Sequence, residues 1–171
     1  MQKVNPLKGK WRNVVFFLTA LLIVAADQLS KIGIRNYLPE GQSVPETGFF
    51  RLTHIHNAGG VFGLFQGQSF LLTIVAFIGV AVLLFYALLL HRRFPPLDNM
   101  LGKLALGLVL GGTIGNLIDR LNFGYVIDFI DVGIGVCRWP AFNIADSAVV
   151  VGVILFAYSL RSLAGAVKGQ G

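Results

Sequence analysis

The sequence predicts an all-α integral membrane protein, with four transmembrane helices and a small extracytoplasmic β-rich segment between helices 1 and 2. Three observations carry this prediction. Four stretches of about 20 mostly apolar residues divide the 171-residue chain, the length a helix needs to cross a bilayer. Hydrophobic residues make up 55% and charged residues 13%, where a soluble domain carries about 25% charge, and mean hydropathy is +0.73. The basic residues gather on alternate connections. The same composition excludes a disordered chain. The single cysteine, Cys137, excludes a disulfide scaffold and a cysteine-clustered zinc site.

The first span is expected over Val14–Ile34, with an uncharged core from Val14 to Ala26. Asp27, Gln28 and Lys31 continue the helical pattern where a signal peptide would show a small-residue cleavage site, so the span is retained. The connection Tyr37–Ser69 is too long for a plain turn. Within it, Phe49–Phe65 is β-rich and partly alternating, broken by Gly59, Gly60 and Gly63, and reads as a small sheet or hairpin dipping into the membrane interface. Turns are expected near Pro39–Gly48. The second span, Phe70–Leu90, is uncharged. The third, about Leu104–Ile118 with room for a start a few residues earlier, carries Gly107, Gly111 and Gly115 at i, i+4, i+8 with Gly112 beside them, a smooth ridge for close helix packing. Ala148 and Gly152 give the fourth span, Ala141–Leu160, a similar small-residue face; Asp146 is its only charge. The whole chain reads as one four-helix domain, 1–171, with 37–69 as its β-rich insertion.

Orientation follows from lysine and arginine. Lys3, Lys8, Lys10 and Arg12 precede span one; Arg92, Arg93 and Lys103 lie between spans two and three; Arg161 and Lys168 follow span four. These are nine of fourteen basic residues. The positive-inside rule puts both termini in the cytoplasm, with Tyr37–Ser69 and Asp119–Pro140 outside. Trp11 and Trp139 are placed at span ends, where amphipathic rings favour the interface. The net charge of +6 thus reports membrane orientation and not nucleic-acid binding.

This topology brings the polar residues to one membrane face: Asp27, Asn116, Asp119 and Arg120, Asn143 and Asp146 at span ends, Asn57 and Asp128 in the outer connections. Asn116 and Arg120 (i, i+4) share a helix face, as do Asn143 and Asp146 (i, i+3). A carboxylate within a span is costly and marks a functional candidate. Simpler readings stand beside this one. Asp27 and Lys31 are spaced for an i, i+4 ion pair, Asp119 next to Arg120 reads as structural, and Asp146 stands near a helix start, where a carboxylate can cap. Asp128, in the apolar VIDFI, has the setting that raises a carboxyl pKa. Two carboxyls sharing one proton are an arrangement that turns water into a nucleophile. His54 and His56 share a strand face and offer two metal ligands with no third in view. Neither Ser147 nor Cys137 has a nearby histidine to activate it, and no phosphate-binding glycine loop is present.

Five blocks now stand in order: DQLSK (Asp27–Lys31), NAGGVF (Asn57–Phe62), GGTIGNLIDR (Gly111–Arg120), VIDFI (Val126–Ile130) and PAFNIADS (Pro140–Ser147). In these the chain resembles the lipoprotein signal peptidase family, signal peptidase II, of bacterial inner membranes. The match spans most of the chain. The second block departs from the family's common NTGAAF at Ala58, Gly60 and Val61. The resemblance implies an aspartic endopeptidase with Asp128 and Asp146 as catalytic pair. It implies that Asp27, Lys31, Asn57, Asn116, Arg120 and Asn143 support the site or contact substrate. The implied substrate is a diacylglyceryl-modified prolipoprotein, cut just before the lipid-bearing cysteine, with neither metal nor cofactor required. The implied enzyme is a multi-pass monomer among membrane phospholipids, its site toward the extracytoplasmic face. A small ion-coupled transporter, the main rival, predicts polar residues at the bilayer midplane and often inverted repeats. This sequence has its polar cluster at one end and no repeat. A non-catalytic assembly or lipid-binding module built on the glycine ridge leaves the acidic cluster unexplained.

Overall fold

The computed structural model describes residues 6–59, 67–90 and 99–168. Helix α1 (Pro6–Tyr37) leads to strands β1 (Ser43–Val44) and β2 (Phe50–Asn57). Helix α2 (Ser69–Phe85) runs into a π-helical turn at Tyr86–Leu90. Helix α3 (Met100–Phe123), strands β3 (Val126–Ile134) and β4 (Cys137–Arg138), and helix α4 (Ile144–Lys168) complete the chain. Each of the four helices is long and apolar enough to cross a membrane. Gly60, Val61 and Phe62 of the second motif and the basic residues Lys3, Arg92 and Arg93 lie outside the described residues.

Helix α3 is the centre of the bundle, and its glycines are the reason. A Cβ on Gly107 would meet the Phe16 carbonyl oxygen at 2.7 Å, and one on Gly111 that of Ala20 at 2.7 Å. On the opposite side Gly112 abuts the Ala145 carbonyl, while a Cβ on Gly152 of α4 would meet the Ala105 carbonyl of α3 at 2.8 Å. Lipid tails are as apolar as leucine, so spanning helices gain from backbone proximity more than from burying oil. The ridge therefore packs α3 on α1, and Gly112 and Gly152 pack it on α4. Phe16, Ala20, Ala87, Leu106 and Leu110 fill the space between. Apolar side chains such as Leu21, Leu22, Phe77, Val82 and Ile154 remain on the outside. Helix α3 starts at Met100, a few residues before Leu104 as expected, and runs past the expected end at Ile118 to Phe123. Asn99 caps its start, accepting from the Gly102 N–H at 2.7 Å, and Gly124, at φ 78°, ends it with its N–H on the Arg120 carbonyl. Lys103, taken from the sequence as a flanking cytoplasmic charge, is wholly buried in α3 and donates to Asn13 at 2.9 Å.

The sheet departs from the sequence expectation. It is not a local insertion between helices 1 and 2 but joins both connections, as an antiparallel sheet of order β1-β2-β3-β4. Phe50 pairs with Val132 and Asn57 with Val126, and a one-residue irregularity falls between Leu52 and Ile55. Strand β2 begins at Phe50 and ends at Asn57, the part of the expected stretch from Gly60 to Phe65 lies outside the described residues, and Ser43–Val44 pairs where only turns were expected. VIDFI is the start of β3. Its apolar run reads like a buried segment because Val126, Ile127 and Phe129 are buried against the helix ends, with Ile34 of α1 beside them. Trp139 follows β4, its N–H on the Val132 carbonyl, five residues before α4 begins. Asp131 clasps this end together: Arg138 Nε donates to Oδ1 at 2.6 Å and Arg51 Nε to Oδ2 at 2.9 Å. Burial raises the Asp131 carboxyl, but the two guanidinium partners outweigh it and hold it below its usual range.

Candidate active site

The end of the bundle where α1 and α3 finish and α4 begins is capped by β3. The segment before α4 is extended, not helical as expected from Ala141. Phe142 pairs with Ile130 across the free edge of β3, with N···O distances of 2.7 and 3.1 Å. This pairing sets Asn143 beside Asp128, and α4 starts one residue later.

Asn143 is therefore a cap and not a helix-face neighbour of Asp146. Its Oδ1 accepts from the Asp146 N–H at 2.9 Å, and Asp146 Oδ2 accepts from the Asn143 N–H at 3.2 Å. This reciprocal pair is a capping box with asparagine and aspartate in the two roles. The capping role considered for Asp146 is thus real, and it occupies one oxygen only. The other, Oδ1, accepts from Asn116 Nδ2 at 2.7 Å.

Asn143 Nδ2 donates to Asp128 Oδ1 at 2.8 Å, so this one fully buried residue bonds both carboxyls. Asp128 Oδ2 accepts from Asn57 Nδ2 at 2.8 Å, and Asn57 is in turn oriented by the Gly59 N–H on its Oδ1 at 2.9 Å. Asp128 is 2% exposed. Burial, and after it the Asp146 charge, pushes its carboxyl from 3.8 up to about 7, against the opposing hydrogen bonds of Asn57 and Asn143.

A second layer supports this one. Lys31 Nζ donates to Asp27 Oδ2 at 2.8 Å, Asp119 Oδ2 at 2.9 Å and Asn116 Oδ1 at 3.0 Å. Three acceptors match the three hydrogens of an ammonium group. Lysine has no acceptor, so Asn116 must turn its oxygen to Lys31 and its NH₂ to Asp146. Asp27 is the expected i, i+4 partner of Lys31 and something more: its Oδ1 accepts from the Ala145 N–H at 3.0 Å, so α1 caps α4. Asp119, read as structural, is 1% exposed and accepts from the Ile127 N–H at 3.1 Å, tying α3 to β3. Its ion pair is with Lys31 and not with its sequence neighbour Arg120. Gly115 completes the layer, since a Cβ there would come within 2.6 Å of Asp27 Oδ2. Gln28, which sequence reasoning did not single out, donates to Asp119 Oδ1 and the Gly115 carbonyl, each at 3.0 Å. Its place inside DQLSK was the available signal.

Arg120 is partly buried within electrostatic reach of Asp146, Asp128 and Asp119. Its Nη2 donates to the Gly59 carbonyl at 3.4 Å, and its buried Nε has no hydrogen-bond partner among the described residues. All eight residues singled out for the site thus converge at one end of the bundle. His54 and His56 stand apart, their ring nitrogens on Leu38, Glu40 and each other. Ser147 spends its hydroxyl on the Asn143 carbonyl at 2.9 Å, and Cys137 is exposed in β4.

Residues 19–161 match the family model described as Signal peptidase (SPase) II. A lipoprotein signal peptidase of Moorella thermoacetica is 47% identical over 151 residues, 88% of this chain and 95% of that protein. One of Dehalococcoides mccartyi is 47% identical over 143 residues, 84% of this chain and 86% of that protein. A solved structure described as a bacterial membrane enzyme superposes with a TM-score of 0.74 at 32% identity, covering 86% of this chain and 87% of that one.

Proposed function

The chain belongs to the signal peptidase II family, and from that premise we propose that it removes the signal peptide from diacylglyceryl-modified prolipoproteins, cleaving just before the lipid-bearing cysteine by an aspartic mechanism. The observation that carries the mechanism is Asn143, which hydrogen-bonds both Asp128 and Asp146 and so holds two carboxyls in one buried network. In this reading Asp128, buried beside Asp146, holds the proton of the resting pair. Asp146 takes a proton from water as it attacks the scissile carbonyl carbon, and Asp128 donates its proton to the carbonyl oxygen. The gem-diol then collapses: one hydroxyl gives its proton back to Asp128 as the carbonyl re-forms, the C–N bond breaks, and the leaving amine takes the proton held by Asp146. Asn57 and Asn143 aim Asp128, Asn116 aims Asp146, and Asp27 and Lys31 hold the helices that carry them. Arg120, whose Nε–H has no partner among the described residues, faces the substrate backbone.

Both termini lie in the cytoplasm in this reading, and the carboxyl end of the bundle faces the outside of the bacterial inner membrane. There the signal-peptide helix ends and the diacylglyceryl chains enter the bilayer. The enzyme works as a monomer among phospholipids. The test is cleavage of a diacylglyceryl-modified precursor by the wild type and by Asp128→Asn and Asp146→Asn. Near-normal turnover by either variant would sink the assignment of the pair.

A further inference from the structure

Gln28 has no part in the reaction described above, yet its amide sits in the layer beneath the carboxyl pair. In that layer Lys31 stands between Asp27 and Asp119, both buried, so two carboxyls share one ammonium group. Gln28 brings further donors without adding a charge. Its Nε2 lies 3.0 Å from Asp119 Oδ1, 3.0 Å from the Gly115 carbonyl oxygen and 3.2 Å from Asp27 Oδ2. These three atoms all accept, so the NH₂ of the amide faces them. The packing of α1 on α3 does not need this tie, since the Gly107 and Gly111 ridge and the Lys31–Asp119 ion pair already join the two helices.

The partners of Asp119 divide by oxygen. Oδ2 accepts from Lys31 at 2.9 Å and from the Ile127 N–H at 3.1 Å, while Oδ1 has Gln28 as its one donor among the described residues. A buried carboxyl oxygen stripped of its donor is costly, and the nearest cation to which it can turn is Lys31. Lys31 has another task. It donates to Asn116 Oδ1 at 3.0 Å, and Asn143 Nδ2 approaches the same oxygen at 3.1 Å. These two donors decide which way the Asn116 amide faces, and the charge-assisted bond from Lys31 is the stronger of them. Asn116 Nδ2 is thereby left to donate to Asp146 Oδ1 at 2.7 Å. A run of hydrogen bonds and ion pairs thus leads from Gln28 through Asp119, Lys31 and Asn116 to Asp146.

We propose that Gln28 is a positioning residue for the cleavage, an inference that rests on the aspartic pair read above. By seating the Asp119 carboxyl it keeps Lys31 on Asn116, and so keeps the Asn116 amide aimed at Asp146. It touches neither the substrate nor the reacting atoms. Its hold on the Gly115 carbonyl acts in the same sense, since Gly115 directly precedes Asn116 in α3.

The test uses the full chain in detergent and Gln28→Met, which keeps the length of the side chain and has no hydrogen to give. On diacylglyceryl-modified substrate its kcat is expected to fall about 10- to 100-fold with KM unchanged, the pattern of a misaimed catalytic group. In an Asn116→Ala background the same substitution is expected to change kcat by less than about twofold, because the link to Asp146 is already cut. A third reading needs no turnover. With asparagine side chains labelled with ¹⁵N, the Asn116 NH₂ resonance, assigned by its absence from Asn116→Ala, is expected to shift in Gln28→Met. An unmoved resonance would overturn the proposal. So would equal losses of kcat in the two backgrounds, or a loss of thermal stability with kcat kept, which would leave Gln28 a purely structural tie. If Gln28→Met does not fold, Gln28→Ala takes the same three measurements. Near-normal turnover by Asp146→Asn, by contrast, would overturn the aspartic pair, and the Asn116 resonance would still report whether Gln28 sets that amide.

Discussion

Asp128 combines the two conditions that tune a carboxyl for acid–base work, burial and a like charge. Both act in one direction, and two asparagine amides oppose them. Asp128→Asn and Asp146→Asn are each expected to cut turnover by about 10²–10⁴-fold or more while the protein still inserts and folds, because each removes a group that must gain and lose a proton. The pH profile of kcat/KM on lipid-modified substrate should be bell-shaped. Its alkaline limb should fall near pH 7 as Asp128 ionises, and its acidic limb should appear when both carboxyls are protonated. Chelators should leave the profile unchanged; activity lost to chelation and restored by zinc would overturn the aspartic mechanism. Stability follows the same pKa. Asp128 is raised in the folded state, so its contribution is full below about pH 4 and is lost as pH rises through about 7. Asp128→Asn should therefore gain stability relative to wild type between those values, measured by thermal unfolding in detergent. Asp119→Asn should show the reverse balance: a loss of about 3–5 kcal/mol from leaving Lys31 short of a buried partner, with kcat of the folded enzyme largely kept. The identities of these residues were legible in the sequence. Their bonds were not, because Asn143 reaches Asp128 only after the Phe142–Ile130 pairing turns the chain before α4.

At the scale of the elements, the helices were legible and their ends were not. Hydropathy marks where lipid begins and ends, but α3 continues past Ile118 because Asp119 and Arg120 are accommodated at its end by Lys31 and the opposing carboxyls. The glycine ridge was visible as an i, i+4, i+8 pattern, and its role as a packing face follows from contacts with the Phe16 and Ala20 carbonyls. Gly111→Ala puts a methyl 2.7 Å from the Ala20 carbonyl oxygen, which a backbone atom cannot yield without moving α1. The variant should lose about 1–3 kcal/mol, measured by denaturant titration in detergent. Since α1 carries Asp27 and Lys31, activity should fall with it. Strands β3 and β4 were missed for a physical reason. An apolar run such as VIDFI has no alternation to read, because β3 is covered by helix ends as well as by neighbouring strands.

For the whole molecule, the arrangement of four helices and one sheet puts every polar residue of the site at a single end. Whether that end faces outward is a question of charge. Most basic residues flank the opposite ends, although Lys103 is buried and contributes no free surface charge. Reporters fused near Arg92 or after Gly171 should read cytoplasmic, and one fused near Gly41 should read external. An external C-terminus would remove the topological argument for cleavage at the outer face.

The sequence by itself determined the four spans, the glycine ridge and the eight residues that meet at one end. These rest on composition and local spacing, which hydropathy, helical periodicity and motif order report directly. Only the tertiary structure decided that the two connections share one sheet, that Asn143 links the carboxyls and that Lys31 holds three partners from two helices. Those are long-range hydrogen bonds and ion pairs between residues up to 118 positions apart in the chain (Asp27 to Ala145, for example). The pairing of polar groups across such distances depends on which backbone edges and helix ends are left unsatisfied once the spans pack. A linear reading of residue types does not contain that information.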